Sequence, residues 1–119
     1  MKKTLILGAT ENHDRYANRA AQSLLAHGYS IALIGLRPGA VRGVPIQTGL
    51  PELTDIDTVT MYVGVHNQAG YYDYIKKIKP RRVIFNPGAE NPEFENELIQ
   101  AGIEPIEACT LVMLSVGTY

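Results

Sequence analysis

The chain has 119 residues, with Lys+Arg 11 against Asp+Glu 12 and a formal net charge of -1. That length suits one domain, 1–119, with a core of its own, and the balanced charge, without a basic block, argues against bulk nucleic-acid binding. The single cysteine, Cys109, cannot form an internal disulfide, which fits a reducing cytoplasm. No apolar run approaches the roughly 20 residues needed to span a bilayer. The apolar run behind Met1-Lys2-Lys3 is too short, and lacks the cleavage site, for a signal peptide.

In chain order, Thr4–Leu7 reads as a buried strand that ends at Gly8 and leads through Ala9-Thr10-Glu11-Asn12-His13-Asp14 into a helix. From about Arg15 to His27, Tyr16, Ala20, Ala21, Leu24 and Leu25 fall on one helical face, and Gly28 stops the helix. Ser30–Ile34 is a second buried strand. Gly35–Gly49, with two prolines and four glycines, is loop-like, and Val44–Gln47 could form a short strand within it. Asp57–Val63 is the third strand. Tyr71, Tyr74, Ile75 and Ile78 line a second helix, closed by Pro80. Arg82–Phe85 is the fourth strand. Asn91-Pro92 is an N-cap followed by proline at the first helical position, with Phe94, Leu98 and Ala101 facing inward and Gly102 ending the helix. Ile103–Ile106 is a fifth strand, and Thr110–Val116 a final helical turn or packed tail.

Strands alternating with helices predict an α/β fold: a single doubly wound, Rossmann-like parallel sheet of about five strands in the order 3-2-1-4-5. Ligands bind such sheets in a crevice at the strand C-terminal ends. There Gly8 would let a diphosphate reach the backbone, Ala9 keeps the approach narrow, and the Thr10 hydroxyl can donate to a phosphate oxygen. Asn12 and Arg15 stand at the start of the first helix, where Arg15 could add a charge-assisted bond. A glycine in that place also serves simply to make a tight strand-to-helix turn.

The turn lacks the extra glycines of an NAD fingerprint. At the end of the second strand, Leu36-Arg37-Pro38 puts an arginine where an acid would hold ribose hydroxyls. An arginine there suits an additional ribose phosphate, as in NADP or coenzyme A. Val63, Gly64 and Val65 could wall an adenine, and Asn86 and the Gly88 amide could meet a pantetheine or ribose, or only shape their loop. No catalytic set and no metal-ligand spacing is evident. His66 reads as a surface or capping residue, Cys109 as a buried inert thiol, and Glu90, Glu93, Glu95 and Glu97 as a solvated helix face.

The chain resembles the small bacterial CoA-binding domain proteins, relatives of the N-terminal domain of the succinyl-CoA synthetase alpha subunit. The resemblance spans nearly the whole length. It rests on Leu7-Gly8-Ala9-Thr10 with Asn12 and Arg15, Leu25-Ala26-His27-Gly28-Tyr29, Leu36-Arg37-Pro38, Gly43-Val44-Pro45-Ile46, Phe85-Asn86-Pro87-Gly88 and Cys109-Thr110-Leu111-Val112-Met113. It implies a Rossmann-like fold that binds CoA at the strand ends, and with no catalytic set evident the leading expectation is a non-catalytic CoA-binding protein. In it, Gly8-Ala9-Thr10 and Arg15 would hold the diphosphate, Arg37 and Pro38 would lie near the adenosine 3′-phosphate, and Val63–Val65 would flank adenine or pantetheine. Thr10 replaces a common serine, and the arginine-proline pair often found after the third strand is missing. The other readings are an NADP-binding enzyme or fragment, and a regulatory protein with a vestigial pocket whose apolar tail, Leu111–Leu114, serves a homodimer or partner.

Overall fold

The computed structural model describes residues 3–119. Its elements are β1 (Lys3–Leu7), α1 (Tyr16–Ala26), β2 (Ser30–Ile34), β3 (Gly39–Val41), β4 (Val44–Gln47), β5 (Thr58–Met61), α2 (Tyr72–Ile78), β6 (Arg82–Phe85), α3 (Pro92–Gln100), β7 (Glu104–Glu107) and α4 (Thr110–Val116). Two short 3-10 turns, Val65–Asn67 and Ala69–Tyr71, lead into α2. Among the described residues no helix is long and apolar enough to cross a membrane.

The strands form one seven-stranded sheet, β3-β4-β2-β1-β5-β6-β7, parallel except for β3. The α/β Rossmann-like class is as expected, but the sheet has two more strands than anticipated. The expected order counted the strand before Val63 as third and seated it outside β2. That strand instead pairs with β1, Leu5 opposite Val59, while β4 takes the place outside β2. The expected order 3-2-1-4-5 is thus corrected: the five anticipated strands lie in the order 2-1-3-4-5, and the β3–β4 hairpin adds the two further strands beside β2. The difference originates in the Gly35–Gly49 segment, where β3 and β4 form a hairpin. Its two-residue tip, Arg42-Gly43, has φ of 49° and 81°, the left-handed pair of a tight hairpin turn. Arginine in the first of those positions carries no turn signal.

Strand alternation divides the core in two. Leu5, Leu7, Ile34, Val59, Met61, Val83 and Phe85 pack with Ile75 of α2 and with Phe94 and Leu98 of α3. Ile6, Ile31, Leu33 and Ile46 face the other way, against Ala17, Ala21 and Leu24 of α1 and Leu114 of α4. Asn91 caps α3 as expected, its side chain accepting from the Phe94 amide. Two assignments of inner faces fail. Ala101 is the exposed C-cap of α3, and Tyr16 is 65% exposed because α1 begins at the mouth of the sheet.

Under α4 the sheet surface is polar. Thr60 and Thr110 share a hydroxyl hydrogen bond of 2.7 Å, and the Asn86 amide donates to Thr60 Oγ1 and to the Met61 carbonyl. Lower down, Arg82 is buried. Its Nε donates to Thr58 Oγ1, its guanidinium lies 4.6 Å from the centre of the Tyr119 ring, and its Nη2 has no hydrogen bond among the described residues. The Tyr119 hydroxyl bonds that of Thr4.

Candidate functional site

The turn after β1 is wedged between two strand ends by missing side chains. Gly8 has φ of 93°, and a Cβ there would lie 2.6 Å from the Tyr62 carbonyl oxygen. A Cβ on Gly35 would lie 2.2 Å from the Ala9 carbonyl oxygen, and one on Gly39 would lie 2.5 Å from Glu11 Cδ. Packing and backbone conformation therefore already require glycine at position 8. The Gly8 and Ala9 amides both donate to the Ile34 carbonyl, at 3.0 and 2.9 Å, so these two donors are engaged within the protein and turned away from a diphosphate.

Other donors remain. The Thr10 and Glu11 amides, and those of Tyr16 and Ala17 in the first turn of α1, have no hydrogen bond among the described residues. Thr10 Oγ1 accepts from the Asn12 amide at 3.1 Å, which leaves its proton free to donate. Asn12 Oδ1 accepts from the Asp14 amide at 2.9 Å, so Asn12 shapes the turn. The N-terminus of α1 has no side-chain cap and no acidic residue in its first turn. No side chain of that first turn offsets its partial positive charge.

These groups open into a cleft of about 910 Å³, the size of a site for a large cofactor. Gly8–Asn12, Arg15, Gly35–Pro38, Tyr62–Gly64, Asn67 and Tyr71 line it. The structure thus gathers Gly8, Ala9, Thr10, Asn12, Arg15, Leu36, Arg37, Pro38, Val63 and Gly64 in one place. Val65 stands exposed beside it. The side chains of Arg15 and Arg37 form no ion pair or hydrogen bond with any described residue. Two cations without a protein counter-ion thus share a cleft with an open helix N-terminus.

Asn86 and Gly88 line a smaller recess of about 130 Å³, with Met61 and Pro87–Ala89, that shares Tyr62, Val63 and Gly64 with the main cleft. Their polar groups point elsewhere than a ligand-contact role requires. Asn86 is buried, donates to Thr60 and Met61, and accepts from the Thr110 amide at 2.9 Å. The Gly88 amide donates to Glu90 Oε1. Gly64 has open space around its Cα.

Sequence reasoning passed over four supporting residues. Asn18 is buried in α1 and donates to the Thr10 carbonyl at 2.9 Å, holding the turn from behind. Gln68 is wholly buried, and its Nε2 donates to both the Val63 and Ala89 carbonyls, tying the two walls of the recess together. Asn91 Nδ2 donates in turn to Gln68 Oε1. Glu11 Oε2 accepts from the Ala40 amide at 2.9 Å, joining the turn to the β2–β3 loop. Tyr62 stands at the junction of cleft and recess, and burial pushes its phenol up to about 12. Its hydroxyl has no hydrogen bond of normal geometry among the described residues, though Thr60 and Thr110 neighbour it. An asparagine on the apolar stripe of α1 was the one available sequence signal for Asn18.

Cys109, half-buried rather than buried, is the N-cap residue of α4. Glu93 and Glu95 occupy the first turn of α3, as expected of acidic residues there, but Glu95 is not simply solvated. Burial and then the neighbouring Glu107 carboxyl raise its pKa, against the Asn91 amide, which lowers it. Glu97 pairs with Lys76 at 2.9 Å.

Together the sheet order and the crevice define a small Rossmann-like α/β domain with its opening at the C-terminal ends of β1, β2 and β5. More particularly, the chain belongs to the CoA-binding domain family, whose model matches residues 2–115. No curated protein matches it. Among solved structures, an uncharacterised protein is 51% identical with a TM-score of 0.97, over 100% of this chain and 98% of its own. A hypothetical protein from Pyrococcus horikoshii OT3 (23% identity, TM-score 0.87, covering 97% and 82%) shares the fold. So does a Thermus thermophilus protein (21% identity, TM-score 0.81, covering 99% and 90%).

Proposed function

We propose that the protein is a non-catalytic binder of coenzyme A or an acyl-CoA, holding the ADP moiety in the large cleft. Family membership supports a CoA-related ligand. The observation that carries the finer reading is the pair of unpaired guanidinium groups, Arg15 and Arg37, in the cleft into which the uncapped N-terminus of α1 opens. Arg15 and the amides of Thr10, Glu11, Tyr16 and Ala17 would meet the diphosphate, with the Thr10 hydroxyl as a further donor. Arg37, which lines the same cleft, would meet the ribose 3′-phosphate. The pantetheine arm would pass over Gly64, where nothing obstructs it, toward the recess walled by Val63 and Ala89.

Holding is the role these groups suit. The one buried phenol at the junction, Tyr62, is kept neutral far above physiological pH, which makes it a poor proton shuttle. Calorimetry with CoA, dephospho-CoA and NADP tests the reading. CoA should bind most tightly, and dephospho-CoA more weakly by about 1.5–3 kcal/mol, the worth of hydrogen bonds to a charged group. Equal affinity for CoA and dephospho-CoA refutes the Arg37 assignment, and preference for NADP over CoA refutes the ligand.

A further inference from the structure

We infer that Glu11 is a specificity-determining residue of this cleft: it positions the loop that carries Arg37, and so sets the preference for a phosphorylated ribose. The inference rests on the proposed binding of CoA. A carboxylate among the donors of an anion site is, on charge alone, out of place. It opposes the field of Arg15, Arg37 and the α1 N-terminus. Glu11 nevertheless lines the cleft beside them.

Its geometry supplies a reason. Glu11 leaves the β1–α1 turn and reaches the loop after β2, where Oε2 accepts the Ala40 amide at 2.9 Å. Its Cγ and Cδ lie against Gly39 so closely that a Cβ on Gly39 would come within 2.7 and 2.5 Å of them. A Cβ at position 39 would push the Glu11 side chain out of this position. Between the Gly35 amide, which donates to Gln47, and Ala40, the residues Leu36, Arg37 and Pro38 make no hydrogen bond among the described residues. Leu36 is 92% exposed, so side-chain packing does little to hold the segment. The sheet holds the far end of this loop, Gly39 pairing with Ile46 of β4, and the Glu11 latch ties that end to the phosphate turn. Leu36–Gly39 is a short span, and a guanidinium held at both ends of it is presented with less conformational freedom to lose on binding. Glu11 Oε1 has no partner among the described residues and is available to a ribose hydroxyl.

The test is the ratio of CoA to dephospho-CoA affinity in the wild type and in Glu11→Ala, Glu11→Gln, Arg37→Ala and Glu11→Ala/Arg37→Ala, by calorimetry. Arg37→Ala should bring the ratio close to one. Glu11→Ala should lower it at least fivefold, the double variant should fall no further than Arg37→Ala, and Glu11→Gln, whose amide oxygen still accepts from Ala40, should recover most of the wild-type ratio. Hydrogen exchange should show the Ala40 amide exchanging faster in Glu11→Ala and near the wild-type rate in Glu11→Gln. If Glu11→Ala tightens both ligands with the ratio unchanged, Glu11 acts only as a repulsive charge and the inference is overturned. It is overturned equally if the effect of Glu11→Ala adds in full to that of Arg37→Ala. If Arg37→Ala itself leaves the ratio untouched, the assignment of Arg37 to the 3′-phosphate fails first, and this inference with it. The two failures are thus read from different variants.

Discussion

Four glycines separate two costs that a Cβ can impose. Gly8 combines a left-handed φ of 93° with a Cβ position 2.6 Å from the Tyr62 carbonyl oxygen. Gly35 has a worse approach, 2.2 Å to the Ala9 carbonyl oxygen, but no positive φ. Gly43 has φ of 81° with nothing within 4 Å, and Gly64 has neither burden. A left-handed backbone costs an alanine about 1–2 kcal/mol. Forcing a methyl into a filled space costs about 1–3 kcal/mol. Gly43→Ala should therefore lose about 1–2 kcal/mol, and Gly35→Ala at least as much from the clash alone, since its closest contact is backbone. Gly8→Ala should lose about 2–5 kcal/mol, the two costs together. Gly64→Ala should be neutral or gain about 0.4–1 kcal/mol through the unfolded state. At about 3–6 °C per kcal/mol for a chain of this size, thermal unfolding of the ligand-free protein resolves the series. If Gly8→Ala melts with Gly43→Ala, the Tyr62 contact is not a constraint. Glycine at that position would then be needed for conformation, or for a ligand, rather than for packing.

Removing the Asn86 side chain strands the buried Thr110 amide and the Met61 carbonyl, each worth about 1–3 kcal/mol when unsatisfied. Asn86→Ala should lower the urea midpoint without changing the slope, and an unshifted midpoint would show that water replaces the amide. Gln68→Leu unties the Val63 and Ala89 carbonyls, so CoA affinity should fall more than stability does. Calorimetry and denaturant unfolding of the same variant check it, and undiminished affinity would remove Gln68 from the site. Burial raises the phenols of Tyr62, Tyr74 and Tyr119, so the folded state holds protons that the unfolded state releases above pH 10. Their stabilising effect is complete below pH 10 and is lost as pH climbs through the folded values, about 12 for Tyr62. Tyr62→Phe should flatten the alkaline fall in stability by an amount on the order of 2 kcal/mol. An unchanged alkaline limb in urea titrations would refute its burial as the cause.

The local pattern was enough to place most elements and most of the cleft. Buried strands at 4–7, 30–34 and 82–85 and the Asn91-Pro92 helix start depend on runs of apolar residues and on capping chemistry, which neighbours in sequence carry between them. The Gly8, Arg15 and Arg37 constellation was legible for the same reason: parallel sheets bring strand C-terminal ends together as a rule of topology. The β3–β4 hairpin was not legible, because a two-residue turn of Arg42-Gly43 has no characteristic composition and three-residue β3 has no room for a period. Nor was the commitment of the Gly8, Ala9 and Gly88 amides to Ile34 and Glu90, since a free donor and an occupied one look alike in a sequence.

The Rossmann-like α/β class, the location of the crevice and the arginines in it were therefore written into the order of residues, because each follows from short-range periodicity or from a rule that holds for every sheet of this kind. Packing in three dimensions chose which donors remain free, made Asn86 the anchor of α4 by letting it accept from Thr110, and carried Glu11 to Ala40 across 29 positions. Those are pairings between residues distant in the chain. Their partners are chosen by distance and angle after the strands have packed, and no local pattern records them.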